Sequence, residues 1–272
     1  MVLLFDGYFS ESDIWVDRNH FSSEAWGSGY NACLYRADSL IVEPAPEGRV
    51  GYAGKFTVRA GDNCNTPNEF AGIGQTIIIN PGDEHWYSFS LYLPPGFVHT
   101  TWMNFWEIKT QDGGFFSAGI SSNLDTGQFS VGWGRNGSIG IYSNHNQENV
   151  GLLTTGYSDW VIHVKWTNDN TGFIEYYKDG VIVSSHSNIP TLPLKNGLPV
   201  GNRFDFMTVQ YRGAEQETRS IYIYRAMSGT TLNDVKYDIP PPSPPPLPQE
   251  SGIGKAFLVI GGTLILREIL KK

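Results

Sequence analysis

Along residues 1–239 the apolar positions come in short runs, many alternating with polar ones. Residues 55–59, 76–79, 86–93, 161–166, 173–178, 181–184 and 220–224 are rich in β-branched and aromatic side chains. They lack the three-to-four spacing of an amphipathic helix and read as strands. Turn formers stand between them: Pro81-Gly82-Asp83, Pro94-Pro95-Gly96, Asp112-Gly113-Gly114, Asn136-Gly137, Asp179-Gly180 and Asn196-Gly197. Lys178-Asp179-Gly180-Val181 predicts a hairpin, because Asp-Gly supplies the positive φ of a type I′ turn. Short strands at this spacing predict an all-β domain, a sandwich or jelly roll. No repeat of fixed period is visible.

The pattern breaks at residues 240–248, where seven of the 16 prolines fall. Such a run favours an extended polyproline spacer of about 3 Å per residue. It predicts three parts: a β domain at 1–239, a linker at 240–248 and a tail at 249–272. Residues 256–266 of the tail are uncharged and apolar, with Lys255 before them and Arg267 and Glu268 after. A bilayer span takes roughly 20 apolar residues, so this run is short, and charged ends that snorkel extend its reach. Membrane insertion and docking on a partner protein both fit such a segment.

Composition narrows the function. With 19 Lys+Arg against 27 Asp+Glu the net charge is −8. The tail holds four positive and two negative side chains, so residues 1–248 carry −10. That balance argues against nucleic-acid binding, which needs a basic surface. Aromatics make up 14% of the chain, enough to bury a core and to exclude general disorder. The two cysteines, Cys33 and Cys64, give no CxxC and leave one bridge or two buried thiols as alternatives. The apolar run at residues 1–5 has no basic flank and ends at Asp6, so it reads as a first strand rather than an export signal.

No phosphate-binding loop, HExxH or GxSxG is present, and no GxGxxG stands after a predicted strand. The six histidines are scattered, so no zinc site and no cofactor is expected. The densest mixture of aromatic and polar residues is 102–109. On a regular strand Phe105, Glu107 and Lys109 share one face, and Trp106 and Ile108 the other. An exposed face with an ion pair is one reading. A groove whose aromatics stack on sugars and whose polar groups bind hydroxyls or a carboxylate is the other.

Several segments, in order, resemble the heparin-lyase-I-like and glucuronan-lyase-like polysaccharide lyases. They are residues 4–9, 68–70, 82–94, 105–109 and 159–166, Gly172, residues 178–180 and residues 209–212. The resemblance implies a concanavalin-like jelly roll and β-elimination at a uronic acid. In that reaction the substrate carboxylate is neutralised, a base takes the C5 proton and an acid protonates the leaving oxygen. The resemblance puts Tyr211 at the place of the family's catalytic tyrosine. It puts Glu107 and Lys109 at the places of its Gln-x-His pair. It also brings Glu69, Phe105 and Arg212 to the substrate. His145, in the polar stretch 144–147, is a further candidate for the groove. The chain departs from the family pattern in four places: Lys109 stands for His, Glu107 for Gln, Asn68 for Arg and Met207 for Lys. Glu107 repels a substrate carboxylate unless it is protonated or paired with Lys109.

Three readings follow. Lys109 as base and Tyr211 as acid make a lyase of altered substrate. Without cleavage, the same surface binds glycan, including uronic polysaccharide. In the third, the fold serves as a structural or attachment module. The spacer and tail suit a domain displayed at a cell or virion surface, single or as a homo-oligomer. Asp6 and Glu43 are candidates for a structural calcium site.

Overall fold

A computed structural model describes residues 3–9, 38–62, 68–98, 100–110, 116–123, 126–137, 145–195, 198–199 and 201–236. Contacts divide the chain into two units, Met1–Lys236 and Tyr237–Lys272, and the described residues fall in the first. Cys33, Cys64, the proline run and the tail lie outside them.

The described residues of the first unit are nearly all β. Its strands are β1 (Leu3–Tyr8), β2 (Leu40–Pro44), β3 (Tyr52–Val58), β4 (Glu69–Ile78), β5 (Glu84–Leu93), β6 (Met103–Thr110), β7 (Phe116–Asn123) and β8 (Gln128–Gly137). They continue with β9 (His145–Leu152), β10 (Gly156–Lys165), β11 (Gly172–Lys178), β12 (Val181–Ile189), β13 (Leu194–Lys195), β14 (Leu198–Pro199), β15 (Arg203–Arg212) and β16 (Arg219–Gly229). One helical turn, α1 (Leu232–Val235), follows.

Two eight-stranded sheets result. The first runs β12-β11-β10-β5-β16-β3-β2, with β1 also on β16. The second runs β14-β13-β8-β7-β6-β15-β4, with β9 also on β8. Among the described residues pairing is antiparallel except between β13 and β8. Alternation then does the packing. Tyr87, Phe89, Leu91, Trp160, Ile162, Ile221 and Ile223 of the first sheet meet Ile73, Trp106, Ile108, Ile120, Phe129, Phe204 and Phe206 of the second in one buried cluster. Tyr176, fully buried, spans the core and donates its hydroxyl to the Gly132 carbonyl at 2.6 Å. At one edge Glu148 of β9 accepts from Ser184 Oγ of β12 at 2.7 Å and lies 3.0 Å from His186 Nε2, tying the sheets together.

The predicted hairpin is present: Lys178 pairs with Val181, and Asp179 and Gly180 have φ of 52° and 78°. The chain leaves the first unit on the outer face of the first sheet. There Ser88, which points away from the core, donates to the Val235 carbonyl at 2.8 Å.

Candidate active site

On β15 the side chains alternate cleanly. Phe204 and Phe206 enter the core, whereas Asp205, Met207, Val209 and Tyr211 turn to the outer face of the second sheet. Met207 and Val209 join Phe70 of β4 in a small cluster of their own. Glycine makes this possible: a Cβ at Gly74 would stand 2.8 Å from Met207 Cγ, and one at Gly72 3.0 Å from Val209 Cβ.

β6 is less regular. Asn104 pairs with Ser121 of β7, but Trp106 pairs with Ile120, so β6 carries one extra residue there. Regular alternation put Phe105 on the same face as Glu107 and Lys109. With the bulge, Phe105 and Trp106 both enter the core at 0% exposure, and Phe105 packs edge-on to Phe129 with ring centroids 5.9 Å apart. Phe105 therefore has no surface to offer a sugar.

Tyr211 lies at one end of the outer face, opposite Phe70 of β4 and Asn104 of β6. Its ring contacts Phe70 at 5.5 Å and stands edge-to-face with Trp102 at 4.9 Å. Its phenolic oxygen accepts from Asn68 Nδ2 at 2.6 Å. Trp102 is 39% exposed, an aromatic surface beside a polar hydroxyl. Gly213 keeps this end compact, since a Cβ there would sit 2.2 Å from Thr101 Oγ1. Trp102 and Asn104 lie in or beside the aromatic stretch singled out above, yet a strand pattern alone does not bring them to a tyrosine over a hundred residues away.

Glu107 and Lys109 form the second polar group on this face. Lys109 Nζ lies 3.3 Å from Glu107 Oε1 without hydrogen-bond alignment, and Asn104 Nδ2 donates to Glu107 Oε2 at 3.3 Å. Glu107 is opposite Met207, and Lys109 is opposite Asp205. Met207 and Asp205 are four and six positions from Tyr211, so the backbones of Glu107 and Lys109 stand roughly 13 and 20 Å along the strand from it, while the Glu107 carboxylate reaches back to Asn104. Lys109 and Tyr211 share a face but not a point.

Glu69 and Arg212 are placed differently. Each follows or precedes an outward residue by one and so turns inward. Arg212 is fully buried; its Nε donates to Glu69 Oε2 at 2.8 Å and its Nη1 to Glu215 Oε2 at 2.9 Å. Its Nη2 reaches the carbonyls of Val58 and Glu217. These two expected substrate contacts are thus an internal ion-pair network that joins the sheets. The His145 side chain lies outside those described, although its backbone pairs with Arg135. Among the described residues no three His, Cys, Asp or Glu converge as a metal site. Glu43 lies 3.8 Å from Lys55, and the Asp6 side chain is outside those described.

Solved structures share this architecture. The endo-β-1,4-glucuronan lyase of the fungus Trichoderma reesei superposes with a TM-score of 0.63 at 17% identity, covering 86% of this chain and 98% of its own. The PL-14 alginate lyase of Aplysia kurodai gives 0.54 at 9% identity, covering 85% and 100%. The catalytic domain of a glycoside hydrolase family 131 protein from Coprinopsis cinerea gives 0.52 at 10%, covering 85% and 96%. The fold is thus the jelly-roll sandwich of these enzymes, and one of them is named for a different reaction, so the fold alone does not set the chemistry. No curated protein matches the chain in sequence. A family model described as polysaccharide lyase matches residues 20–225, which include every strand from β2 to β15, and the chain belongs to the polysaccharide lyase family.

Proposed function

We propose that the outer face of the second sheet binds a polysaccharide, and that Tyr211 moves a proton in β-elimination at a uronic acid. Family membership supports the reading, and one observation carries it: Asn68 donates to the Tyr211 oxygen at 2.6 Å, beside the exposed Trp102. With a donor aimed into its oxygen, the phenol turns its own proton in another direction. As phenolate, stabilised by the Asn68 donor, the same oxygen takes the C5 proton; as phenol it gives that proton to the leaving oxygen, so C5–H and C4–O break, C4=C5 forms and the proton is accounted for. The amides of Asn68, bonded to the Tyr211 oxygen, and of Asn104, opposite Tyr211, can hold the substrate carboxylate whose neutralisation makes C5 acidic. Lys109, paired with Glu107, contributes charge rather than a lone pair. At its distance from Tyr211 it serves a sugar further along the same polymer.

The pairing of Lys109 also favours a second reading, binding without cleavage. Incubation with a panel of uronic polysaccharides separates the two through the ultraviolet absorbance of an unsaturated uronate. Product formation that is lost in Tyr211→Phe, with binding kept, supports cleavage. Retained binding with no product from any polymer supports the second reading.

The proline run at 240–248 and the apolar run at 256–266 support display of this domain at a cell or virion surface. In that proposal residues 249–272 attach to membrane or to a partner protein, with self-association among the possible arrangements. Deleting 240–272 is expected to release the protein from its support while glycan binding persists.

A further inference from the structure

Past β6 the outer face of the second sheet changes character. Tyr211, Asn104, Ser121, Ser130 and Asn149 follow one another in register across β15, β6, β7, β8 and β9. A neighbouring row runs through Glu107, Gly119, Gly132 and Gln147. Four strand spacings, about 19 Å, separate the ends of the first row. Gln147 and Asn149 are exposed, Asn104 and Ser121 half-buried. Ser130 Oγ donates to Asn149 Oδ1 at 2.7 Å, and Gln147 Nε2 to Ser121 Oγ at 3.5 Å. On β7 the Ser117 hydroxyl, two residues from Gly119, is buried with no hydrogen-bond partner.

None of these side chains beyond β6 is charged. Charge on this face, among the described side chains, stands on β15 and β6. Glu107 and Asp205 are the carboxylates; Lys109 and the exposed Arg203 are the cations. Lys109 is paired with Glu107 at 3.3 Å and is opposite Asp205. Amides and hydroxyls both donate and accept, so they match sugar hydroxyls. A carboxylate on every sugar would be stripped of water there without a cation to replace it.

Resting on the polysaccharide-binding reading above, we infer that the β7–β9 half of this face takes neutral, hydroxyl-bearing sugars. The substrate is then a mixed polysaccharide whose uronic acids are spaced by neutral units, not an uninterrupted polyuronate.

Calorimetry on the full chain with two probes tests this. Gellan spaces its glucuronate with neutral sugars; alginate is uronate throughout. Gellan is expected to bind at least about ten-fold more tightly, with a Kd that changes under about two-fold as salt rises, since few charge pairs are formed. Gln147→Ala and Asn149→Ala are each expected to weaken gellan binding about five-fold, the loss of one net hydrogen bond. Ser121→Lys is expected to shift preference toward alginate. Alginate bound as tightly as gellan, with steep salt dependence, overturns the inference and leaves the polysaccharide-binding reading standing. Binding of neither polymer by a protein with native circular dichroism overturns both.

Discussion

Arg212 shows how much one buried charge demands of its surroundings. Its guanidinium is compensated by Glu69 and Glu215 and by two carbonyls. Replacing it leaves Glu69 buried without its cation and Glu215 with Arg219 Nε alone, at 3.4 Å. Arg212→Met is expected to cost about 3–5 kcal/mol, read by urea denaturation. Had Arg212 faced a ligand, stability would change little. His85 makes a pH prediction. Burial lowers its pKa below the ordinary 6.5, against a smaller opposing pull from Asp83. Its Nδ1 lies 3.1 Å from the Tyr87 hydroxyl, which accepts from Trp166 Nε1 at 3.2 Å. The folded protein therefore binds a proton at His85 less readily than the unfolded chain. The contribution of neutral His85 is complete above about pH 6.5 and is lost as pH falls through its lowered folded value. A denaturation series across that range in wild type and His85→Gln is expected to show the acid loss only in wild type. Legibility at this scale was uneven. Tyr211 and Arg212 are neighbours in sequence and both look like site residues. The two-residue period of a strand sends them to opposite faces, and the same holds for Glu69 and Phe70. Applying that period to each residue would have separated them beforehand.

Strands were easier to read than their irregularities. The hairpin at Asp179-Gly180 follows from local backbone preference and is visible in four residues. The bulge in β6 is not, because it depends on β7 pairing with one residue fewer. It decides that Phe105 is core while Lys109 and the buried Glu107 turn to the outer face. The close approach of β4 and β15 is similarly non-local. A Cβ at Gly74 would meet the Phe206 carbonyl at 2.7 Å. Gly74→Ala is expected to cost about 1–3 kcal/mol by overpacking, measured as a lowered Tm, and to disturb Met207 beneath the candidate groove. Gly82→Ala is the comparison: nothing stands within 4 Å there, although its φ of 99° carries backbone strain of its own.

For the molecule as a whole, the two-sheet architecture was legible because alternation and turn residues recur throughout residues 1–239. The proposed binding face was not, since it requires knowing which strands become neighbours. The first unit closes its own core, with Val235 fully buried at its end. Truncation after residue 239 is therefore expected to leave Tm within about 2 °C of the full chain, by calorimetry. A fall well beyond that would mean the tail packs on the sandwich.

The seat of α1 gives the domain a front and a back. Val235 is held by Ser88 on the outside of the first sheet, whereas Tyr211 and Trp102 are on the outside of the second. The layers between are about 10 Å thick. A tether attached at Lys236 therefore joins the first unit on the side away from the proposed glycan face. A dense carpet of such tethered copies would grip one long polymer at many places at once, so its hold would strengthen with packing density rather than with the affinity of any single copy.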